Sequence, residues 1–307
     1  MKLILSEPRG FCAGVVRAIE TVEKALIKWG APIYVKHEIV HNKHVVEGLK
    51  AKGAIFIEDL SEVPPGSRLV YSAHGIAPHV RVQAQARGLI EIDATCGLVT
   101  KVHSAVSRYA KKGYTIFLIG HKNHVEVQGT YGEAPDQTYI IETLADVEAL
   151  EVPATEKVFY VTQTTLSLLD IHSIVEALLK KFPQIESLPS SSICYATTNR
   201  QEALMAIAAR CDLVLVVGDL TSSNSNRLVE VAKSFHIPAY LINAPCDIQS
   251  DWLKGVSNIG LTAGASSPEN VVEACIQRLQ ALGVTEIEKA TYVKEDVVFQ
   301  LPRILTA

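Results

Sequence analysis

Leu213-Val214-Leu215-Val216-Val217-Gly218-Asp219-Leu220-Thr221-Ser222-Ser223-Asn224-Ser225-Asn226-Arg227 is the stretch that decides the fold. Five consecutive aliphatic residues leave no polar face, so the run reads as a buried strand; Gly218 ends it, and a polar loop opens a helix. The same grammar recurs at Tyr114-Thr115-Ile116-Phe117-Leu118-Ile119, which runs into Gly120-His121-Lys122-Asn123-His124-Val125-Glu126. Near the N-terminus, Val15, Ile19, Val22 and Leu26 form one helical stripe, which Gly30 and Pro32 end. Short β-branched runs alternate with amphipathic stretches throughout. That alternation predicts an α/β protein with parallel or mostly parallel sheets.

A chain of 307 residues exceeds one comfortable core, so two or three domains are expected. Asp93 to Val99 and the Ser- and Pro-rich Pro183 to Ser192 look like joints. Cutting there gives α/β segments 1–97, 98–192 and 193–307, the last with a C-terminal tail. The net charge of −4 offers no basic field for nucleic acid or acidic membrane. No apolar run is long enough for a membrane span. Met1-Lys2-Leu3-Ile4-Leu5-Ser6-Glu7-Pro8 reads as a first strand rather than a signal peptide. Six scattered cysteines in a chain this large point to a reducing cytoplasm rather than a disulfide framework.

Three of those cysteines occupy one kind of place, where an apolar run gives way to a helix. They are Cys12 in Arg9-Gly10-Phe11-Cys12-Ala13-Gly14, Cys96 in Asp93-Ala94-Thr95-Cys96, and Cys194 in Ile193-Cys194-Tyr195-Ala196. At 84 and 98 residues apart, they can meet only through the fold. Three thiolates at one point would hold a metal centre and leave one coordination position open for a substrate. Three ordinary buried thiols are the alternative. Their spacing suggests three similar α/β units facing a shared centre. Cys275 shares a helical face with Val271, Val272 and Leu279, and Cys211 just precedes a buried strand, so both read as core. Cys246 reads as an incidental loop thiol.

In open α/β sheets, ligands bind at the carboxyl ends of strands. Several such loops here are polar. Tyr71-Ser72-Ala73-His74-Gly75 and the His121–Glu126 loop carry histidines; Val161-Thr162-Gln163-Thr164-Thr165, Ser222–Arg227 and Thr262-Ala263-Gly264-Ala265-Ser266-Ser267-Pro268 carry hydroxyls and amides. The last two open helices and could cradle a phosphate, although Ser and Asn are also ordinary helix caps. His41, His74 and His124 each follow a strand-like run and suit an anion. His37-Glu38-Ile39-Val40-His41 matches the zinc-protease pattern, which needs a helix; Ile33-Tyr34-Val35 instead predicts a strand running into it. His124-Val125-Glu126 has the deaminase H-x-E, but Pro245-Cys246 lacks the second cysteine. Walker, G-x-G-x-x-G and G-x-S-x-G motifs are absent.

Seven motifs, in order along the chain, carry a family resemblance. They are Pro8-Arg9-Gly10-Phe11-Cys12-Ala13-Gly14-Val15, Ser72-Ala73-His74-Gly75, Asp93-Ala94-Thr95-Cys96, Gln163-Thr164-Thr165-Leu166-Ser167, Cys194–Gln201, Ser222–Arg227 and Thr262–Ser266. Together they resemble the 4-hydroxy-3-methylbut-2-enyl diphosphate reductases, the LytB-type iron–sulfur enzymes that end the methylerythritol phosphate route to isoprenoids. The resemblance implies three α/β domains in a cloverleaf around a [4Fe–4S] cluster held by Cys12, Cys96 and Cys194. It implies that His41, His74, Ser222, Ser223, Asn224 and Ser266 hold a diphosphate. His124, Thr164 and Glu126 would then surround the allylic hydroxyl, with Glu126 as proton source. That role requires burial to keep the acid protonated near neutral pH. The resemblance also implies a ferredoxin or flavodoxin, with its reductase, as electron donor.

Some positions depart from the family pattern. Gly97 stands where many relatives have proline, Val125 and Gln128 replace a proline and a glutamate, and Asp219-Leu220-Thr221 replaces Ser-Lys-Asn. An acid at 219 weakens anion binding unless it points away. Two other readings remain at this level. A non-redox three-cysteine dehydratase would favour arginine forks for a carboxylate substrate, where these loops offer His, Ser and Asn. A non-catalytic iron–sulfur or phosphometabolite sensor would leave Glu126 without a duty.

Overall fold

A computed structural model describes residues 1–153 and 156–306. Its strands are β1 (Lys2–Glu7), β2 (Ile33–Lys36), β3 (Ala54–Ile57), β4 (Arg68–Tyr71) and β5 (Ile90–Asp93). They continue as β6 (Thr115–Ile119), β7 (Thr138–Ile141), β8 (Val158–Thr162) and β9 (Glu186–Ser187). The last four are β10 (Leu213–Val217), β11 (Ala239–Ile242), β12 (Asn258–Ala263) and β13 (Glu286–Thr291). Three sheets result, ordered β11-β10-β12-β1-β13, β3-β2-β4-β5 and β7-β6-β8-β9. Every pairing is parallel. The α/β expectation is met, with the strand over 213–217 where the aliphatic run placed it.

Parallel strands need crossover connections, and helices covering both faces explain why β10 is buried at every residue. In the five-stranded sheet Leu3, Leu215, Val217, Leu261, Val272 and Cys275 belong to one apolar cluster, with Ile4, Val214, Val216, Leu204 and Leu228 in another. The first helix, Ala13–Trp29, buries Val15, Ala18, Val22 and Ala25, while Ile19 and Leu26 are only half-buried. Residues 37–42 form no helix, which removes the zinc-protease reading of His37–His41.

The chain divides into two compact units. The first comprises Met1–Val16, His41–Val46 and Tyr195–Val298; the second comprises Arg17–Val40, Glu47–Cys194 and Phe299–Ala307. The second unit holds both four-stranded sheets. β1 lies between β12 and β13, with Leu3 opposite Ile259 and Ile287. The first strand therefore completes the last sheet instead of opening a self-contained segment 1–97. Its continuous apolar run, buried on both faces, is equally compatible with any parallel neighbour, and the decisive partners lie more than 250 residues away.

Strand order locates the crevices. A parallel sheet opens a ligand crevice where consecutive crossovers leave a strand in opposite directions. β10 has β11 on one side and β12 on the other; β2 has β3 and β4; β6 has β7 and β8. The loops at those three switch points contain Ser222 and Ser266, His41 and His74, and His124 and Thr164. No helix among the described residues is long and apolar enough to cross a membrane.

Candidate active site

The second unit gathers the acid. Gly120 ends β6, and His124 caps the following helix, Val125–Tyr131, by accepting a hydrogen bond from the Glu126 amide through Nδ1 at 3.2 Å. Glu126 in the first turn is 4 % exposed. From the end of β8, Thr164 donates its amide to one Glu126 oxygen at 2.6 Å and its hydroxyl to the other at 2.8 Å. Both carboxyl oxygens are thereby fixed. The His74 and His124 rings lie 6.1 Å apart, nearly perpendicular. His74, His124, Glu126 and Thr164 thus come together as the sequence predicts, from the loops after β4, β6 and β8.

The first unit gathers hydroxyls and amides. Ser222 caps the helix Ser223–Ser234, and its Oγ accepts from the Ser225 amide at 3.3 Å and from the Ser225 hydroxyl at 3.0 Å. Ser266 donates its hydroxyl to the His41 carbonyl at 2.9 Å and lies 3.5 Å from Ser222 Oγ. His41, Ser222 and Ser266 are therefore neighbours, and Ser223 and Asn224 form the first helical turn. Both polar atoms of the buried Asn224 amide lack a hydrogen-bond partner among the described residues. A buried unsatisfied amide costs about 1–3 kcal/mol, so Asn224 marks a candidate ligand contact. Capping and anion binding turn out to be compatible readings of Ser222: the same hydroxyl that caps also faces the cluster of donors.

Ser225 was not singled out by sequence, yet it organises this loop. A Cβ on Gly218 would lie 2.3 Å from Ser225 Oγ, and one on Gly264 only 2.0 Å from it. Glycine at both strand ends lets the loops after β10 and β12 close over that hydroxyl. Asp219 is likewise part of the scaffold. Its carboxylate accepts from the Lys43 amide at 3.0 Å and from the Thr221 amide and hydroxyl at 3.0 and 2.8 Å. Burial pushes the Asp219 carboxyl up, but the hydrogen bonds from Thr221 and Lys43, with His41 nearby, outweigh it and hold it below its ordinary value of 3.8. A depressed folded pKa gives stability that is complete above the ordinary value and is lost as pH falls through the folded one. The thermal-stability advantage of the native chain over Asp219→Asn is therefore expected to be constant at neutral pH and to vanish in acid. A melting series from pH 7 downward checks it.

Each predicted metal-binding cysteine is half-buried and immediately precedes a helix: Ala13–Trp29, Gly97–Ala110 and Tyr195–Ala208. No disulfide joins any cysteine. Backbone bonds tie each to predicted site loops. The Cys12 amide donates to the Ala265 carbonyl at 3.1 Å, Cys96 to Ala73 at 3.0 Å, and Cys194 to Thr164 at 2.9 Å. Cys12 belongs to the first unit and the other two to the second. Among the described residues no three Cys, His, Asp or Glu side chains stand in metal-ligating geometry. The donor chemistry fits a soft metal centre: three half-buried cysteines at helix N-termini, where negative charge is favoured. Cys211 and Cys275 are core, as read, and burial pushes their thiols up to about 11 and about 12. Cys246 is exposed.

The profile of the LytB protein family matches residues 3–280. A 4-hydroxy-3-methylbut-2-enyl diphosphate reductase of Protochlamydia amoebophila is 66 % identical over 99 % of this chain and 97 % of its own length. One from Chlamydia pneumoniae is 61 % identical over 99 % and 98 %. Among solved structures, the E-1-hydroxy-2-methyl-but-2-enyl-4-diphosphate reductase from Plasmodium falciparum superposes with a TM-score of 0.97 at 51 % identity, covering 99 % of this chain and 96 % of that one. A second reductase structure, described as the terminal enzyme of the non-mevalonate pathway, gives a TM-score of 0.66 at 33 % identity, over 91 % and 99 %. With this coverage from end to end, the chain belongs to the LytB protein family.

Proposed function

We propose that this chain reduces (E)-4-hydroxy-3-methylbut-2-enyl diphosphate to isopentenyl and dimethylallyl diphosphates, removing the allylic hydroxyl as water with two electrons and two protons. The observation that carries this reading is the buried Glu126 carboxyl held at both oxygens by Thr164, in the loop whose carbonyl receives the Cys194 amide. Cys12, Cys96 and Cys194 would hold a [4Fe–4S] cluster, which supplies electrons and a Lewis-acidic iron for the hydroxyl oxygen. Hydroxide is a poor leaving group, so a proton must reach the oxygen as the C–O bond breaks. Glu126 is the acid for that transfer. When protonated, it donates to Thr164 Oγ, leaving the threonine proton to face the substrate alcohol. His124, fixed by its capping bond, borders the same place.

The diphosphate takes no part in the chemistry. Its binding energy positions the hydroxyl and excludes water. His41, His74, Ser222, Ser223, Asn224 and Ser266 hold it by local donors, which reconciles an anion site with a chain of net charge −4. His41→Ala and Ser222→Ala are expected to raise KM about tenfold or more while the purified protein keeps its brown colour, since each removes a proposed diphosphate donor; Ser222→Ala also removes a helix cap and is expected to lower the melting temperature. Colour lost with affinity would assign those residues to the scaffold.

We place the activity in the cytoplasm, with a ferredoxin or flavodoxin and its reductase as donor. The test is anaerobic purification, iron and sulfide analysis, and turnover with a chemical reductant. Two electrons consumed per product support the reductase. Product formed without electron consumption would mean a dehydratase, and no iron in anaerobic preparations would mean neither.

A further inference from the structure

Residues 292–302 form neither helix nor strand, yet polar groups along them are matched to two of the cysteine loops. In the first unit, the Glu295 carboxylate accepts from Arg200 Nη1 at 3.0 Å and Nη2 at 3.2 Å, and from Asn199 Nδ2 at 3.0 Å. Arg200 is fully buried. Its remaining N–H groups reach the Gly10 carbonyl, from Nε at 3.2 Å and Nη2 at 2.8 Å, and the Ala196 carbonyl at 2.9 Å. All five guanidinium donors are used, so the planar fork has one orientation and the Gly10 carbonyl follows it. Gly10 precedes Cys12 by two residues, has φ +67°, and donates its amide to Ala263. Without Glu295 the buried cation loses its counter-charge, and turning Arg200 toward water to recover hydration releases Gly10.

In the second unit, the same segment acts on Cys96. Arg17 Nε donates to the Gln300 carbonyl at 2.7 Å, while Nη1 and Nη2 donate to the carbonyls of Thr95 at 2.9 Å and Asp93 at 3.2 Å. The Phe299 ring lies where a Cβ on Gly97 would come within 3.4 Å of it. The residue beside Cys96 that departs from the family's proline is thus the one that the Phe299 ring of the tail approaches.

We propose that the C-terminal segment is a positioning strap, with Glu295 setting the Cys12 loop through Arg200, and Phe299 and Gln300 setting the Cys96 loop with Arg17. Its functional meaning rests on those cysteines being cluster ligands, so the test has two arms. In the first, full-length, cluster-free, reduced chain is alkylated with iodoacetamide, and rates at Cys12, Cys96 and the core Cys275 are read by peptide mass. Half-buried thiols react through local opening, so Glu295→Gln is expected to speed Cys12 about tenfold and leave Cys96 and Cys275 unchanged. Arg17→Met and, independently, Phe299→Ala are expected to speed Cys96 alone. In the second arm, the same variants loaded with cluster should release iron to a chelator about tenfold faster than the native chain. Unchanged rates at both cysteines overturn the strap, as does acceleration that includes Cys275, which would report general loosening. Selective acceleration, with no iron bound even by the native chain, would leave the strap standing and sink the cluster reading.

Discussion

Glu126→Gln is expected to lower kcat by roughly 10²–10⁴-fold, the usual worth of a positioned proton donor, while iron content and substrate affinity stay near native values. The substitution is nearly isosteric. Its amide oxygen can still accept from the Thr164 backbone, and its NH₂ can donate to the Thr164 hydroxyl, so the loop after β8 keeps its place. What disappears is the ability to deliver a proton from this buried position. An interaction made only as the leaving group departs should depress kcat and kcat/KM together. Single-turnover rates under anaerobic conditions, with iron measured on the same sample, separate this from loss of the metal centre. Turnover close to native would remove Glu126 as the acid.

The second large effect runs in opposite directions on stability and function. Asn224→Leu is expected to raise the melting temperature of the ligand-free protein by a few degrees, because it replaces a buried amide with two unmatched polar atoms by an apolar group of similar size. The same change should weaken use of the diphosphate substrate by roughly 10–100-fold, the worth of a charge-assisted hydrogen bond or two. Differential scanning calorimetry and steady-state KM on one preparation measure both. A lower melting temperature would show that the amide is satisfied in the free protein, and the ligand argument from Asn224 would fall.

Much of this site was legible because chemistry and topology coincide. Polar residues after a β-branched run mark the carboxyl end of a parallel strand, so His74, His124, Thr164 and Ser222 could be nominated without knowing which strands pair. Two things were not legible. The strand Lys2–Glu7 carries no mark of its neighbours, so residues 1–16 were assigned to the segment that follows them in sequence, whereas β12 and β13 claim them. Asp219 read as a hazard to an anion because a sequence gives charge without direction; its carboxylate is spent on the Lys43 and Thr221 amides. Arg200 shows the same limit. Most arginines lie at the surface, and only Glu295 and two backbone carbonyls make full burial tolerable.

The seat of β1 between β12 and β13 has a consequence during synthesis. β1 must wait for the roughly 250 residues that separate it from β12 to be made before its partners exist, on the order of 10–50 s at ordinary elongation rates. Throughout that interval the Cys12 segment is an unanchored nascent peptide, so the ligand set proposed for Cys12, Cys96 and Cys194 is complete only after β12 and β13 have been made.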